Sequence, residues 1–221
     1  QKQFLHDKRI AVGDFAELTG FPQGKKLLQK YGGRMLVKVR QGAFDGRGNM
    51  LVETPEDLRA SLKKFAGKQL YVEKFVPFVK ELAVMIARDT KGRTALYPIA
   101  ETIHQRNICI EVSVPALIDE KARERAAAVA QQVAERMEGA GVFGIELFLT
   151  PEGEVLVNEI APRVHNSGHY TVDACHVSQF EQHVRAITGL PLGTTDLSVP
   201  AAVMINILGE QDGPTRVRGL K

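Results

Sequence analysis

The sequence predicts an α+β protein built on antiparallel sheets. Helices and strands alternate along the chain, strands predominate in its middle, and residues 142–160 read as a hairpin about the tight turn Pro151-Glu152-Gly153-Glu154. A doubly wound array would instead set a crossover helix after each strand.

Gln1 to Lys8 and Pro22 to Tyr31 read as short helices. Arg34 to Arg40 alternates apolar and basic residues, the signature of a half-exposed strand. The QGAFDGRGN that follows is rich in turn formers and sits between two strands. Thr54 is an N-cap, Pro55 takes the first helical position and Glu56 and Asp57 put acids in the first turn, so a helix runs to about Phe65. Strands are expected at Gln69–Phe75, Glu81–Arg88, Thr94–Glu101 and Ile108–Val114. Asp119 caps the longest helix, which runs to about Met137 and is closed by Gly139. The hairpin strands are Val142–Leu149 and Glu154–Ile160. Ser178–Thr188 is a helix stopped by Gly189, and Val199–Leu208 a last strand.

The 221 residues are 44% apolar, enough for a substantial core in one domain or two small ones. The net charge is only +3, and Lys and Arg form neither a basic stripe nor a nucleic-acid-binding module. No apolar run approaches the ~18 residues of a membrane span. Neither nucleic acid nor membrane is therefore an expected partner. The first ten residues lack a signal-peptide core and an initiator Met, which predicts a chain that has been cut or processed. Cys109 and Cys175 have no CxxC spacing and make no disulfide framework, so a reducing cytoplasm is expected.

Chemistry concentrates in four places. Reflection about the centre of the hairpin turn, between residues 152 and 153, pairs Glu146 with Glu159 on one face. Like charges directly opposite destabilise a sheet. Either the pair is solvated and splayed, or a divalent cation such as Mg²⁺ offsets the repulsion. Apolar Phe148, Val155 and Val157, expected on the same face, favour a covered cleft. The second place is Lys38 with the glycines of residues 42–48, which can turn amide N–H groups toward an anion or can be a plain hairpin turn. It matches neither a Walker A loop nor a GxGxxG helix start. The third is EKFVPFVKE, residues 73–81, a strand end whose backbone could meet the edge of a nucleotide base. The fourth is residues 161–169, APRVHNSGH, which set a guanidinium, two imidazoles, an amide and a hydroxyl beside Glu159. That mixture can hold a small oxyanion through Arg163, or zinc through His165 and His169.

KVRQGAFDGRGN, YVEKFVPFVKELAVMIARD, YPIAETIHQRNIC, NEIAPRVHNSGHYT and SQFEQHVRAITGLPLG resemble, in order and over nearly the whole chain, segments of carboxyaminoimidazole ribonucleotide synthetases, which are ATP-grasp ligases. APRVHNSGH is the most specific. The resemblance implies an ATP-grasp fold of two subdomains whose antiparallel sheets enclose the nucleotide. Residues 1–76 would be the small subdomain with its lead-in helix, 77–209 the large one, and 210–221 the start of a C-terminal region. It implies carboxylation of the amine of 5-aminoimidazole ribonucleotide with ATP and bicarbonate, through carboxyphosphate, in purine biosynthesis. ATP and Mg²⁺ are the implied cofactors, and a homodimer the implied assembly of the full-length protein. Lys38 and the loop Ala43, Phe44, Asp45, Gly46, Arg47, Gly48 and Asn49 would cover the phosphates. Glu73, Lys74, Phe75 and Val76 would meet adenine, Glu81 the ribose, and His104 the nucleotide. Glu146 and Glu159 would bind Mg²⁺ with Asn158 alongside, while Arg163, His165 and Asn166 would hold bicarbonate. Asp45 and Phe44 match positions near the imidazole substrate.

The sequence also departs from common patterns. Ala161 stands where many ATP-grasp enzymes have a metal-binding Asn, a feature this family shares, and Phe44 stands where Tyr is frequent. The family has a further N-terminal domain of roughly a hundred residues and a C-terminal piece that grips the substrate phosphate, both expected outside this chain. An ATP-grasp fragment that binds nucleotide without turnover, or another ATP-grasp carboxylase or transformylase, is the alternative.

Overall fold

The computed structural model describes residues 1–42, 48–105 and 107–209, with residues 213 and 219. Its elements are α1 (Lys2–Asp7), β1 (Phe15–Leu18), α2 (Phe21–Lys30), β2 (Met35–Val39), β3 (Asn49–Val52), α3 (Pro55–Lys64), β4 (Leu70–Lys74), β5 (Lys80–Arg88), β6 (Thr94–Leu96), β7 (Ala100–Gln105), β8 (Ile108–Val114), α4 (Glu120–Arg136), β9 (Gly141–Leu149), β10 (Val155–Ala161), α5 (Thr171–Ala174), α6 (Gln179–Thr188) and β11 (Ala202–Ile205). No described helix is long and apolar enough to cross a membrane.

Two antiparallel sheets carry the fold. The smaller has the order β1-β4-β2-β3, and the larger β10-β9-β5-β7-β8-β11, with β6 added along β5. Helices α2 and α3 cover one face of the small sheet, where Met35, Val37, Val52, Leu58 and Val72 are fully buried. Its other face carries Lys38 and Glu73 on neighbouring strands, one step apart diagonally, since Leu36 is the residue opposite Glu73.

Helix α4 covers one face of the large sheet. Ala122, Ala126, Ala130, Val133 and Ala134 form its buried stripe at helical spacing, and their short side chains bring it close to Leu82, Val84, Ile145 and Leu147. The opposite face is covered at one end by Tyr170 and Ala174, which pack with Met85, Ala87 and Val142. Farther along, that face bears Glu81, His104, Glu146 and Phe148.

Local chemistry sets the helix ends. Thr54 and Asp57 form a complete capping box at α3: Thr54 Oγ1 accepts from Asp57 N at 3.1 Å, and Asp57 Oδ2 accepts from Thr54 N at 2.9 Å. Asp119 caps α4 by accepting from Ala122 N at 2.7 Å, and Gly189 ends α6 in the left-handed region at φ 78°.

Several expectations change. The single strand Thr94–Glu101 is two, β6 and β7, broken at Pro98, which has no N–H to continue a ladder. Strand β1 is an addition, and the last strand spans only Ala202–Ile205. Helix α1 packs on the large sheet: Leu5 is fully buried in the α4 cluster with Ile10, and Val157 N donates to Ala11 O at 2.9 Å.

Candidate functional site

The hairpin brings two carboxylates together by a route the sequence does not announce. Gly153 N donates to Thr150 O and Thr150 N to Glu154 O, both at 2.9 Å, so Thr150 pairs with Glu154 and the loop is centred on Glu152. From there Leu149 pairs with Val155 and Leu147 with Val157, one residue off the expected register. A β-bulge at Asn158 adds a residue to β10, and beyond it Glu159 stands opposite Glu146. The bulge also corrects the expected face. Val155 and Val157 are buried with Leu147 and Leu149 under α4, and Phe148 alone of the three stays on the side of Glu146.

Glu146 is held on both flanks. Asn158 Nδ2 donates to its Oε2 at 3.3 Å, and His165 Nε2 lies 3.6 Å from Oε1. Burial and the nearby Glu159 charge push its carboxyl above the ordinary value. Glu159 is exposed, and its carboxylate forms no ion pair among the described residues. On the neighbouring strands His104 Nδ1 lies 2.6 Å from Glu81 Oε2, and that bond raises the imidazole above its usual range. Phe148, opposite Glu81, stacks on Phe78 at 4.7 Å between centroids.

His165 is placed by a glycine and a glutamine. A Cβ on Gly144 would lie 2.5 Å from His165 Cβ, so only glycine lets this loop approach β9. Gln179 is fully buried and mimics a strand partner: it accepts from His165 N at 2.9 Å and donates to His165 O at 2.8 Å. Burial, reinforced by Arg163, lowers the imidazole to about 4. Nδ1 accepts from Ser167 N at 3.4 Å and meets Ser167 Oγ at 2.8 Å, so the neutral ring carries its proton on Nε2, toward Glu146. Asn166 opens a 3₁₀ turn to Gly168. Arg163 is exposed and donates to Val164 O at 2.8 Å. His169 stacks on Phe180 and meets Gln179, so the two imidazoles of this loop have separate partners.

Across the cleft, Glu73 is almost fully buried. Lys38 Nζ lies 3.0 Å from Oε1 and Lys2 Nζ 3.2 Å from Oε2. The first contact is one of charge, because no donor reaches Oε1 in aligned hydrogen-bond geometry among the described residues. Burial works to raise the Glu73 carboxyl, but the two ammonium groups outweigh it and hold it below the usual range. Lys74 is exposed, 4.0 Å from Asp14. Phe75 lies under the Arg34 guanidinium at 3.8 Å and donates its N–H to Arg34 O. The Val76 N–H has no acceptor among the described residues. Asn49 pairs with Lys38, and Gly48 O accepts from Val39 N. Ala43, Phe44, Asp45, Gly46 and Arg47 lie outside the described residues.

The donors suit a hard cation. Glu146, Glu159 and Asn158 offer only oxygens and an amide, and the Glu146 carboxyl is raised first by burial and then by the Glu159 charge. Among the described residues no three His, Cys, Asp or Glu side chains converge as a metal site. Two carboxylates hold Mg²⁺ when phosphate oxygens complete its shell.

Comparison with known proteins gives the family. The ATP-grasp domain model matches residues 3–180. Phosphoribosylaminoimidazole carboxylase of Ogataea methanolica is 46% identical over 220 residues, covering 96% of this chain and 40% of that protein. Carboxyaminoimidazole ribonucleotide synthase of Aspergillus clavatus, solved with ATP, superposes with a TM-score of 0.89 at 33% identity, covering 94% of this chain and 55% of that one. The A. clavatus N5-carboxyaminoimidazole synthase solved with ADP and 5-aminoimidazole ribonucleotide gives 0.87 at 32% identity, with the same coverage. The chain thus spans about half the length of these proteins, or less.

Proposed function

The chain belongs to the ATP-grasp family, and from that premise we propose that, like the carboxyaminoimidazole ribonucleotide synthases it is similar to, it is the nucleotide- and bicarbonate-handling core of an enzyme that carboxylates the amine of 5-aminoimidazole ribonucleotide. The observation that carries the reading is the Glu146–Glu159 pair, flanked by Asn158 and His165 and facing the sheet that bears Lys38.

ATP lies between the sheets in this reading. The Val76 N–H meets adenine, Glu81 with His104 the ribose, and Lys38 the phosphates. Glu146 and Glu159 hold Mg²⁺, which when bound neutralises phosphate charge. Bicarbonate sits at the residue 163–166 loop, where His165 offers its neutral Nε2–H and Asn166 its amide, and Arg163 must swing inward to add its guanidinium. A bicarbonate oxygen attacks the γ-phosphorus and the bond to ADP breaks, giving carboxyphosphate. Its carboxyl unit then passes to the substrate amine, and phosphate and a proton leave. Fixed donors aimed at developing charge supply most of the acceleration in such a step. The same reading makes the whole protein a cytoplasmic homodimer, to be checked by sedimentation.

Calorimetric titration with MgATP tests the site. The wild-type chain is expected to bind, and Glu146→Ala/Glu159→Ala to lose binding. In the whole protein, release of ADP should require bicarbonate, and formation of the carboxylated product should require 5-aminoimidazole ribonucleotide as well. Equal turnover with a glycinamide ribonucleotide acceptor would move the assignment to another branch of the family.

A further inference from the structure

We infer that Lys2, on α1, is a positioning residue that frees the Lys38 charge for a polyphosphate, acting through Glu73. The inference rests on the nucleotide reading above. Lys2 belongs to the large body, since the helix that carries it is anchored through Leu5 in the α4 cluster, and its Nζ also donates to Val157 O of β10 at 3.3 Å. Yet its ammonium reaches the small sheet, 3.2 Å from Glu73 Oε2, while Lys38 takes Oε1 at 3.0 Å. The Lys2 and Glu73 side chains are 11% and 7% exposed, so water screens this contact little.

Charge arithmetic gives the triad its purpose. Two ammonium groups against one carboxylate leave a net charge of +1 on the triad. Without Lys2, Glu73 would be balanced by Lys38 alone, and the pair would be neutral toward an incoming phosphate. Lys38 on one sheet is therefore completed by a residue carried on the other body.

The test compares two ligands on four proteins: wild type, Lys2→Met, Lys2→Arg and Lys38→Met, with the Lys2→Met/Lys38→Met double variant added. MgATP is titrated by calorimetry, and adenosine, which has no phosphate, by saturation-transfer NMR. Lys2→Met is expected to weaken MgATP about tenfold and adenosine less than about twofold, with Lys2→Arg restoring most of the loss. In the double variant Glu73 is left without an ammonium and the site carries −1, so the Lys2 change should weaken MgATP again on top of the Lys38 change, and no further loss there would overturn the charge argument. Should Lys2→Met fail to fold, Lys2→Gln, which keeps donors but no charge, takes its place in the same comparison. Unchanged MgATP affinity, or equal loss of both ligands, overturns the role of Lys2 and leaves the nucleotide reading standing. A wild-type chain that binds no MgATP overturns both.

Discussion

Glu146 and Glu159 face each other because β10 carries one residue more than β9 between the turn and the pair, and that residue is Asn158. In a regular ladder from this turn, Asn158 would lie opposite Glu146 and Glu159 would point into the α4 core. The bulge keeps both acids in the cleft and adds an amide to Glu146.

Holding two like charges there costs stability in the absence of a cation. Glu146→Gln keeps the shape and removes one charge, so its thermal midpoint should rise by about 2–4 °C, roughly 1 kcal/mol. The same variant should lose MgATP binding by calorimetry. A lower midpoint would show that the pair is not strained.

The approach of His165 depends on the missing Cβ at residue 144. Gly144→Ala should cost about 1–3 kcal/mol in urea unfolding and weaken the bicarbonate dependence of ATP hydrolysis in the whole protein. An alanine variant as stable and as active as wild type would mean that the loop yields freely.

Gln179 satisfies both backbone groups of His165 from a fully buried position. Gln179→Leu leaves them unpaired and should lose about 2–4 kcal/mol. A loss below about 0.5 kcal/mol in the same unfolding measurement would remove Gln179 as the anchor of this loop.

Glu73 links the two bodies to pH. Its folded carboxyl lies below the ordinary 4.5, so the stabilisation is complete above that value. As pH falls, the unfolded chain takes up the proton first, and stability is lost through the depressed folded value. Glu73→Gln should be less stable at neutral pH, because two buried ammonium groups lose their partner. The midpoint curves of variant and wild type should converge as pH falls below 4.5 and through the depressed folded value. Parallel curves would exclude the carboxylate as the titrating group.

Burial, followed by the Glu146 charge, pushes the Cys109 thiol up to about 11, and burial with Asp196 does the same for Cys175. Both should react with iodoacetamide at pH 8 about a hundredfold more slowly than an ordinary thiol, and at the ordinary rate in urea. Rapid labelling of the native chain would contradict this.

The caps were legible because a cap is a local event. Thr54, Asp119 and Gly189 each act within four residues of themselves and do what their spacing implies, whereas Gly139 does not close α4, whose C-cap is Met137 in an extended conformation. Periodicity was less reliable on α6, where Phe180, Val184 and Ile187 recur at helical spacing yet are exposed, while Gln179 and Gln182 are fully buried. Each glutamine exchanges two bonds with a loop backbone, Gln182 with Gly193 at 2.9 Å both ways. A polar residue on a buried helical face is a signal of such anchoring, but the sequence does not say which face is buried.

By itself the sequence determined the α+β class, the helix limits, the acids of the hairpin and the segments shared with ATP-grasp ligases, since these reside in residue identity and short spacing. Tertiary structure decided the rest. The bulge at Asn158, the docking of α1 on the large sheet, the reach of Lys2 to Glu73 and the seat of His165 over Gly144 all join residues distant in sequence. Such pairings are set by which surfaces bury together, and packing of that kind leaves no local trace in the chain.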